Sequence, residues 1–305
     1  RYLSQLDEAD KDGEDAPEGS TVERLQEKIA AIRERRERLE GHGKALADSG
    51  EDQISLTDPD ARAMHSSSRV GVGYNVQIVA GTRHKLIAEQ QVHNKVSDLG
   101  LLTETAGAAR ETLGVEKIDA VADRGDFKIE DIEACEAAGI VPYVPKPQRG
   151  SAVAKGVFGK DKFRYDAGAD TYMCPGGAAL SRMRSRPVRG DVRLFDYGNA
   201  TACKLCPLKA RCTDAASRKV TRYENEAVLD RMAERVAARP AVLDQRRESV
   251  EHPFGSVKQW MGQGAFLMRR LENVRAEFSL TALAYNLRRA INLVGIPALI
   301  AAARP

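Results

Sequence analysis

No apolar run in these 305 residues is long enough to cross a bilayer: the longest, Ile296 to Ala303, falls far short of the roughly 20 residues a spanning helix needs. No signal peptide opens the chain either, because Arg1 through Asp15 is polar and acidic. Cysteine is scarce and odd in number, at five. In a chain without an export signal that points to the cytoplasm, and to free thiols or a metal site rather than disulfides. Methionine is missing from the first position, where Arg1 stands, so the chain reads as a fragment, a processed product or a misplaced reading frame. With 42% hydrophobic and 30% charged residues, the composition is that of a soluble globular protein.

Net charge is also nearly absent in sum, at +3, but not in distribution. Between Lys146 and Arg222 stand 17 Lys and Arg against 6 Asp and Glu, a net of +11, which leaves −8 for everything else. A segment this basic calls for a partner of opposite sign, and nucleic acid is the commonest one. The plainer alternative is a solvated, lysine-rich surface insertion.

Four regions differ in texture. Residues 1–50 are highly charged, and Thr21 to Leu39 reads as a helix with Ser20 and Glu23 in a capping-box pattern. Its apolar stripe, Leu25, Ile29, Ile32 and Leu39, is thin. Residues 51–145 alternate strands and helices. Val70–Val79 and Lys85–Val92 form a predicted hairpin across Ala80–Arg83. A helix with Leu99, Leu102, Ala106, Ala109 and Leu113 on one face follows, with Ser97 as its cap and Gly114 as its stop. Then come a short strand, Ile118–Ala122, a helix burying Ile129, Ile132 and Cys135, and a strand, Ile140–Val144. A hairpin followed by a βαβ unit predicts a mixed sheet flanked by helices. Residues 146–222 break the pattern and read as an insertion. Residues 223–305 are helical, with Leu280, Leu283, Ala284, Leu287, Ile291 and Val294 marking one long amphipathic helix.

Two carboxylates stand out. Asp123 ends a predicted strand and is followed by Arg124-Gly125, and strand C-termini in α/β sheets are where sites are usually built. By itself an Asp in such a turn reads first as a turn or cap residue. Glu251 lies in a stretch where Arg247, Glu251 and Lys258 share a face if helical. Taken alone, that spacing also fits a solvated i,i+4 ion pair, and Pro253 must sit in a first turn or kink the helix.

Cys174, Cys203, Cys206 and Cys212 form a C-x28-C-x2-C-x5-C pattern, and the Cys203-x-x-Cys206 pair is half of a familiar tetrahedral zinc site. The basic neighbours Lys204, Lys209 and Arg211 favour thiolates. The alternative is a set of reduced thiols without metal. Cys135, on an apolar helix face, reads as core. His252, beside Glu251, is the one histidine placed to act as a DNA contact or to support the carboxylate.

Asp58-Pro59-Asp60-Ala61, Gly73-Tyr74-Asn75-Val76-Gln77, Ala122-Asp123-Arg124-Gly125 and Val250-Glu251-His252-Pro253-Phe254-Gly255, in this order, resemble the DDE transposases of bacterial insertion sequences. The likeness is to the group with a cysteine-containing insertion before the catalytic Glu. It implies an RNase H-like fold in which two Asp and one Glu hold two Mg²⁺ or Mn²⁺ ions for strand cleavage and strand transfer. Asp123 then matches the second Asp and Glu251 the Glu, while Arg247 and Lys258 match cations that contact DNA phosphates. Asp244 stands where the pattern has a Tyr, and Asp126 where it has an aromatic residue. The first Asp of the pattern is expected before Arg1, which would leave this chain catalytically silent. Without the resemblance, Asp58 or Asp60 is the nominee, because Ile54–Thr57 reads as a short strand running into them. The resemblance further implies DNA as partner, a homodimer on paired DNA ends, and a bacterial cytoplasmic, nucleoid-associated protein. A catalytically dead DNA-binding remnant is the rival expectation.

Overall fold

Charge dominates the first helix. In the computed structural model, which describes residues 22–65, 70–147, 154–187 and 192–303, α1 spans Val22–Ser49. From Gln26 onward every side chain on α1 is exposed except His42 and Leu46, which are half-buried. The thin stripe behaves accordingly, with Ile29, Ile32 and Leu39 all exposed. Ser20 lies outside the described residues. The chain divides into two compact units, Arg1–Gly73 and Tyr74–Pro305. The first also holds an antiparallel pair, β1 (Arg62–His65) and β2 (Val70–Gly73). Ile54–Thr57 is not a strand.

The single strand expected over Val70–Val79 is divided: β2 closes the first unit, and β3 (Asn75–Ala80) opens the second. β3 pairs antiparallel with β4 (Ile87–His93), from Asn75 opposite His93 to Ala80 opposite Ile87. Helix α2 starts at Leu102, later than its apolar pattern suggests, and runs to Thr112. Ser97 does not cap it; its hydroxyl accepts from Leu99 N. The orphan amides of α2 are met from a different helix, where the Asp131 carboxylate accepts from Leu102 N and Thr103 N, each at 3.1 Å. That carboxylate sits on α3 (Ile129–Ala137), the crossover between β5 (Ile118–Val121) and β6 (Ile140–Tyr143), which pair in parallel. Ala106, Cys135 and Ile140 pack together on one side of this βαβ unit. Ala122, Ile132 and Val144 pack with Val228 and Met232 on the other.

The expected mixed sheet is not one sheet. The β3–β4 hairpin and the β5–β6 pair are separate two-stranded ladders. No described strand bridges β3 to β5; between them runs a cavity of about 160 Å³ lined by Val76–Ala80 of β3 and Ile118–Val121 of β5.

The basic segment, read only as a break in pattern, carries the largest sheet. Strands β7 (Arg164–Asp166), β8 (Thr171–Met173), β9 (Ala179–Pro187), β10 (Arg193–Gly198) and β11 (Lys219–Tyr223) form an antiparallel sheet in the order β11-β10-β9-β8-β7. Its core is Phe163, Tyr172, Leu180, Tyr197 and Val220. Two short helices, α4 (Ala200–Lys204) and α5 (Lys209–Cys212), interrupt the run between β10 and β11.

The remainder is helical: α6 (Ala227–Ala238), α7 (Ala241–Gly255), α8 (Leu271–Val294) and α9 (Ile296–Ala303). None of the described helices is long and apolar enough to cross a membrane. Helix α7 runs through buried Pro253 and passes directly into a π turn over Ser256–Trp260, closed by Met261 N to Ser256 O at 3.0 Å. α8 is a helix as its pattern predicts, but the packed face is Val274, Phe278, Thr281, Ala282 and Tyr285. Leu280, Leu283 and Leu287, the stripe that marks it in the sequence, are exposed.

Candidate active site

Strand β5 delivers Asp123 to an open edge. The residue is extended, with φ −91° and ψ −175°, and caps a short 3-10 turn over Arg124–Asp126. Its Oδ1 accepts from Gly125 N at 2.6 Å, and Asp126 Oδ2 accepts in return from Asp123 N at 3.3 Å, a capping box. Glycine at 125 has a steric reason: a Cβ there would stand 2.8 Å from Asp123 Oδ1 and 3.1 Å from Asp98 Oδ2.

Asp98 was not singled out in the sequence, and it completes a trio of carboxylates. Its Oδ1 accepts from Asn75 Nδ2 and Gln77 Nε2, both at 2.7 Å, so residues two apart on β3 hold it. Asp126 is buried, and burial pushes its carboxyl up to about 7, with the charges of Asp123 and Asp98 adding to the effect. Against these stands one close cation, Arg246 of α7, at 3.4 Å from Asp123 Oδ2. The sequence reading named its neighbour Arg247 instead. Both arginines line an open cleft of about 500 Å³ together with Asp98, Asp123, Arg124 and Gly125.

The remaining candidates are placed as follows. Glu251 lies one helical turn beyond Arg247 on α7 and is exposed. It lines neither the open cleft nor the β3–β5 cavity. Among the described residues no three His, Cys, Asp or Glu side chains already stand in metal-holding geometry. Lys258 falls in the π turn that follows α7. Its ammonium lies 5.6 Å from the centre of the Phe254 ring. His252 Nδ1 is 2.9 Å from the Tyr285 hydroxyl, which donates to Lys85 O at 2.7 Å. Burial first, then the nearby Arg289 and Lys85, hold that imidazole below its ordinary pKa. Asp58 and Asp60 belong to the first unit, in a turn where Asp60 N donates to Asp58 Oδ1 at 3.3 Å and Ala61 N to Asp58 O at 3.0 Å.

In the basic segment, Cys174, Cys203, Cys206 and Cys212 all line one cavity, together with Lys209. Arg211 stacks at 5.2 Å from the Phe158 ring, and Lys204 is exposed at the end of α4. Cys135 is fully buried, as its apolar face predicts.

Residues 173–291 match the model of a family described as a transposase DDE domain. The match takes in Cys174, the rest of the cysteine group, Glu251 and Lys258, and it begins after Asp123. No curated protein and no solved structure gives a significant match to the chain.

Proposed function

We propose that this chain is the core of a bacterial insertion-sequence DDE transposase, a metal-dependent enzyme that cleaves and joins DNA strands at the ends of its own mobile element. One observation carries the reading beyond the family match. A strand-terminal Asp, packed with two further carboxylates, opens into a cleft whose other wall is the arginine-bearing helix of the matched segment.

The donor chemistry is that of a hard divalent cation, and among the described residues no three of these carboxylates already stand in ligand geometry. Asp98, Asp123 and Asp126 concentrate carboxylate oxygens near Arg246, and burial first, then the neighbouring charges, raises the Asp126 carboxyl to about 7. Mg²⁺ or Mn²⁺ is the counter-charge such a group prefers. In this reading Asp123 and Glu251 are metal ligands, and the bound ions supply activation of a water or 3′-hydroxyl and stabilisation of the leaving oxygen. Arg246 and Arg247 receive the phosphate being cut. Asp126, once neutral, keeps the Asp123 backbone fixed through its accepting oxygen.

The cavity between β3 and β5 supports the rest of the active centre. Among the described residues, neither bordering strand has a pairing partner on its side of the cavity. An extended segment seated there would join the two ladders into one RNase H-like mixed sheet. The active form in this reading is a homodimer holding paired element ends on the nucleoid, with Lys204, Lys209, Arg211 and Lys258 as phosphate contacts. A second reading, a DNA-binding remnant without activity, draws on the position of Glu251, exposed and outside both clefts.

Cleavage and joining of supercoiled plasmid with Mg²⁺ or Mn²⁺ decides between them. The enzyme is expected to cut and join, and Asp123→Ala or Glu251→Ala to abolish both while DNA is still bound. Silence of the unaltered protein, with DNA retained in a mobility-shift assay, would establish the remnant instead.

A further inference from the structure

Four of the five cysteines meet although they come from three separate places in the chain. Cys174 follows β8 and opens a turn that Gly177 N closes onto Cys174 O at 2.9 Å. Cys203 lies in α4, Cys206 in the loop after it, and Cys212 ends α5. All four line one cavity of about 20 Å³, with Phe163 and Leu180 of the sheet core on its wall. That volume is about what one water molecule or a single ion fills. At Gly176 a Cβ would come within 3.2 Å of Cys206 Sγ and 3.7 Å of Cys174 Sγ, so two of the sulfurs close on the same point of backbone.

Packing accounts for part of the group only: Cys174 and Cys212 rest against the sheet core, and Cys203 and Cys206 do not. All four are half-buried, whereas Cys135, a small apolar core residue, is fully buried. All four thiols are free, so no disulfide accounts for them either. Cations converge on the cavity instead. Lys209 and Arg218 line it, and Arg218 Nε is buried with no hydrogen-bond partner. The same guanidinium donates from Nη1 to Cys212 O at 3.3 Å, and thiolate charge in the cavity would offer its Nε–H an acceptor.

We propose that Cys174, Cys203, Cys206 and Cys212 bind one Zn²⁺ as a tetrahedral tetrathiolate that ties α4, α5 and the β8–β9 turn onto the basic sheet. The inference stands independently of the catalytic reading. Four S–H bonds give up their protons to solvent and four Zn–S bonds of about 2.3 Å form, with no change of oxidation state. Among the described residues no three donors already stand in ligand geometry, so binding includes rotation of thiols about their Cα–Cβ bonds toward the cavity centre. The role is structural: all four positions are filled by protein, which leaves none open for a reacting group. The sheet's own core is only five buried side chains, a small one to hold two short helices and their loops unaided.

The test is metal content of the full chain purified without added metal or chelator. About one zinc per chain is expected, surviving gel filtration and released into a colorimetric zinc indicator as a mercurial titrates the thiols. Cys203→Ser with Cys206→Ser should abolish it. Should that variant fail to fold, cobalt substitution of the unaltered chain gives an independent readout, since a tetrahedral tetrathiolate yields intense visible and sulfur-to-cobalt charge-transfer bands. Zinc-free protein whose four thiols react freely with a disulfide reagent, or in which two of them are joined as a disulfide, would overturn the proposal. So would zinc that the double variant retains.

Discussion

Asp123 is held in place by neighbours that each allow little freedom. A methyl group at position 125 would meet Asp123 Oδ1 at 2.8 Å, well inside van der Waals contact, so one of the two carboxylates there must swing away. Gly125→Ala is therefore expected to lower plasmid cleavage at least tenfold while unfolding by denaturant shifts by no more than about 2 kcal/mol. Unchanged cleavage would separate Asp123 from the chemistry. A second residue-scale expectation concerns His93, buried at the end of β4 with its Nε2 3.2 Å from Gln91 Oε1. Burial, opposed by Glu104 and aided by Lys95 and Arg275, lowers its pKa below 6.5. A group depressed in the folded state binds fewer protons folded than unfolded, so stability falls as pH drops below 6.5 toward the lowered value. His93→Gln should remove that part of the acid dependence, measured as the change in melting temperature between pH 7.5 and pH 5.5.

At the scale of elements, polar contacts between neighbouring pieces matter as much as apolar ones. Glu226, at the start of α6, is almost fully buried, accepts from Lys160 and from Tyr223 N at 2.9 Å, and faces Arg222 across 3.8 Å as an ion pair. Arg222 in turn reaches Asp230 at 2.5 Å and stacks 3.7 Å from the centre of the Tyr165 ring. Removing the carboxylate takes one partner from Lys160, which keeps Thr221 O, and one from Arg222, which keeps Asp230, so Glu226→Ala should cost about 1.5–3 kcal/mol in denaturant unfolding. Asp131→Ala, which frees the N-terminus of α2, should cost about 1–2 kcal/mol. Either loss being negligible would show that water replaces these partners.

These links are also where the sequence says least. Apolar periodicity locates α2, α3, α8 and the β5–β6 pair, because each of them buries a face. It is silent on Asp131 capping a helix 29 residues earlier, since a cap supplied in trans leaves no local pattern. Asp98 and Arg246 were missed for the same reason: only the folded chain brings them to Asp123. The α8 stripe misled in a different way, because that helix carries apolar residues on two faces and periodicity does not tell which one packs. Short basic strands such as β9 alternate arginine with small residues and read as loop until their pairing is seen.

Over the whole molecule, charge is segregated. The segment from Lys146 to Arg222 carries +11 in a chain of net +3, and its sheet exposes Arg182, Arg184 and Arg186 along β9. Two of these are partly committed, Arg182 over the Phe195 ring at 3.5 Å and Arg186 at 4.0 Å from Asp196. DNA binding should therefore weaken steeply with salt. Arg184→Glu with Arg186→Glu should lower affinity at least tenfold and reduce the slope of log affinity against log salt by about 1–2, as expected for the loss of one or two phosphate contacts. A slope unchanged by the pair would move the DNA surface away from β9.

The facing edges of β3 and β5 have a practical consequence for anyone handling the protein. Two unpaired ladders that border one cavity are templates, and a chain in solution offers them to any extended segment it meets, including those of its own copies. Concentration, mild heating and storage then become ways of exchanging strands between molecules. Losses in purification should climb with protein concentration faster than marginal stability alone would give, and fall when a short soluble β-forming peptide is added in excess.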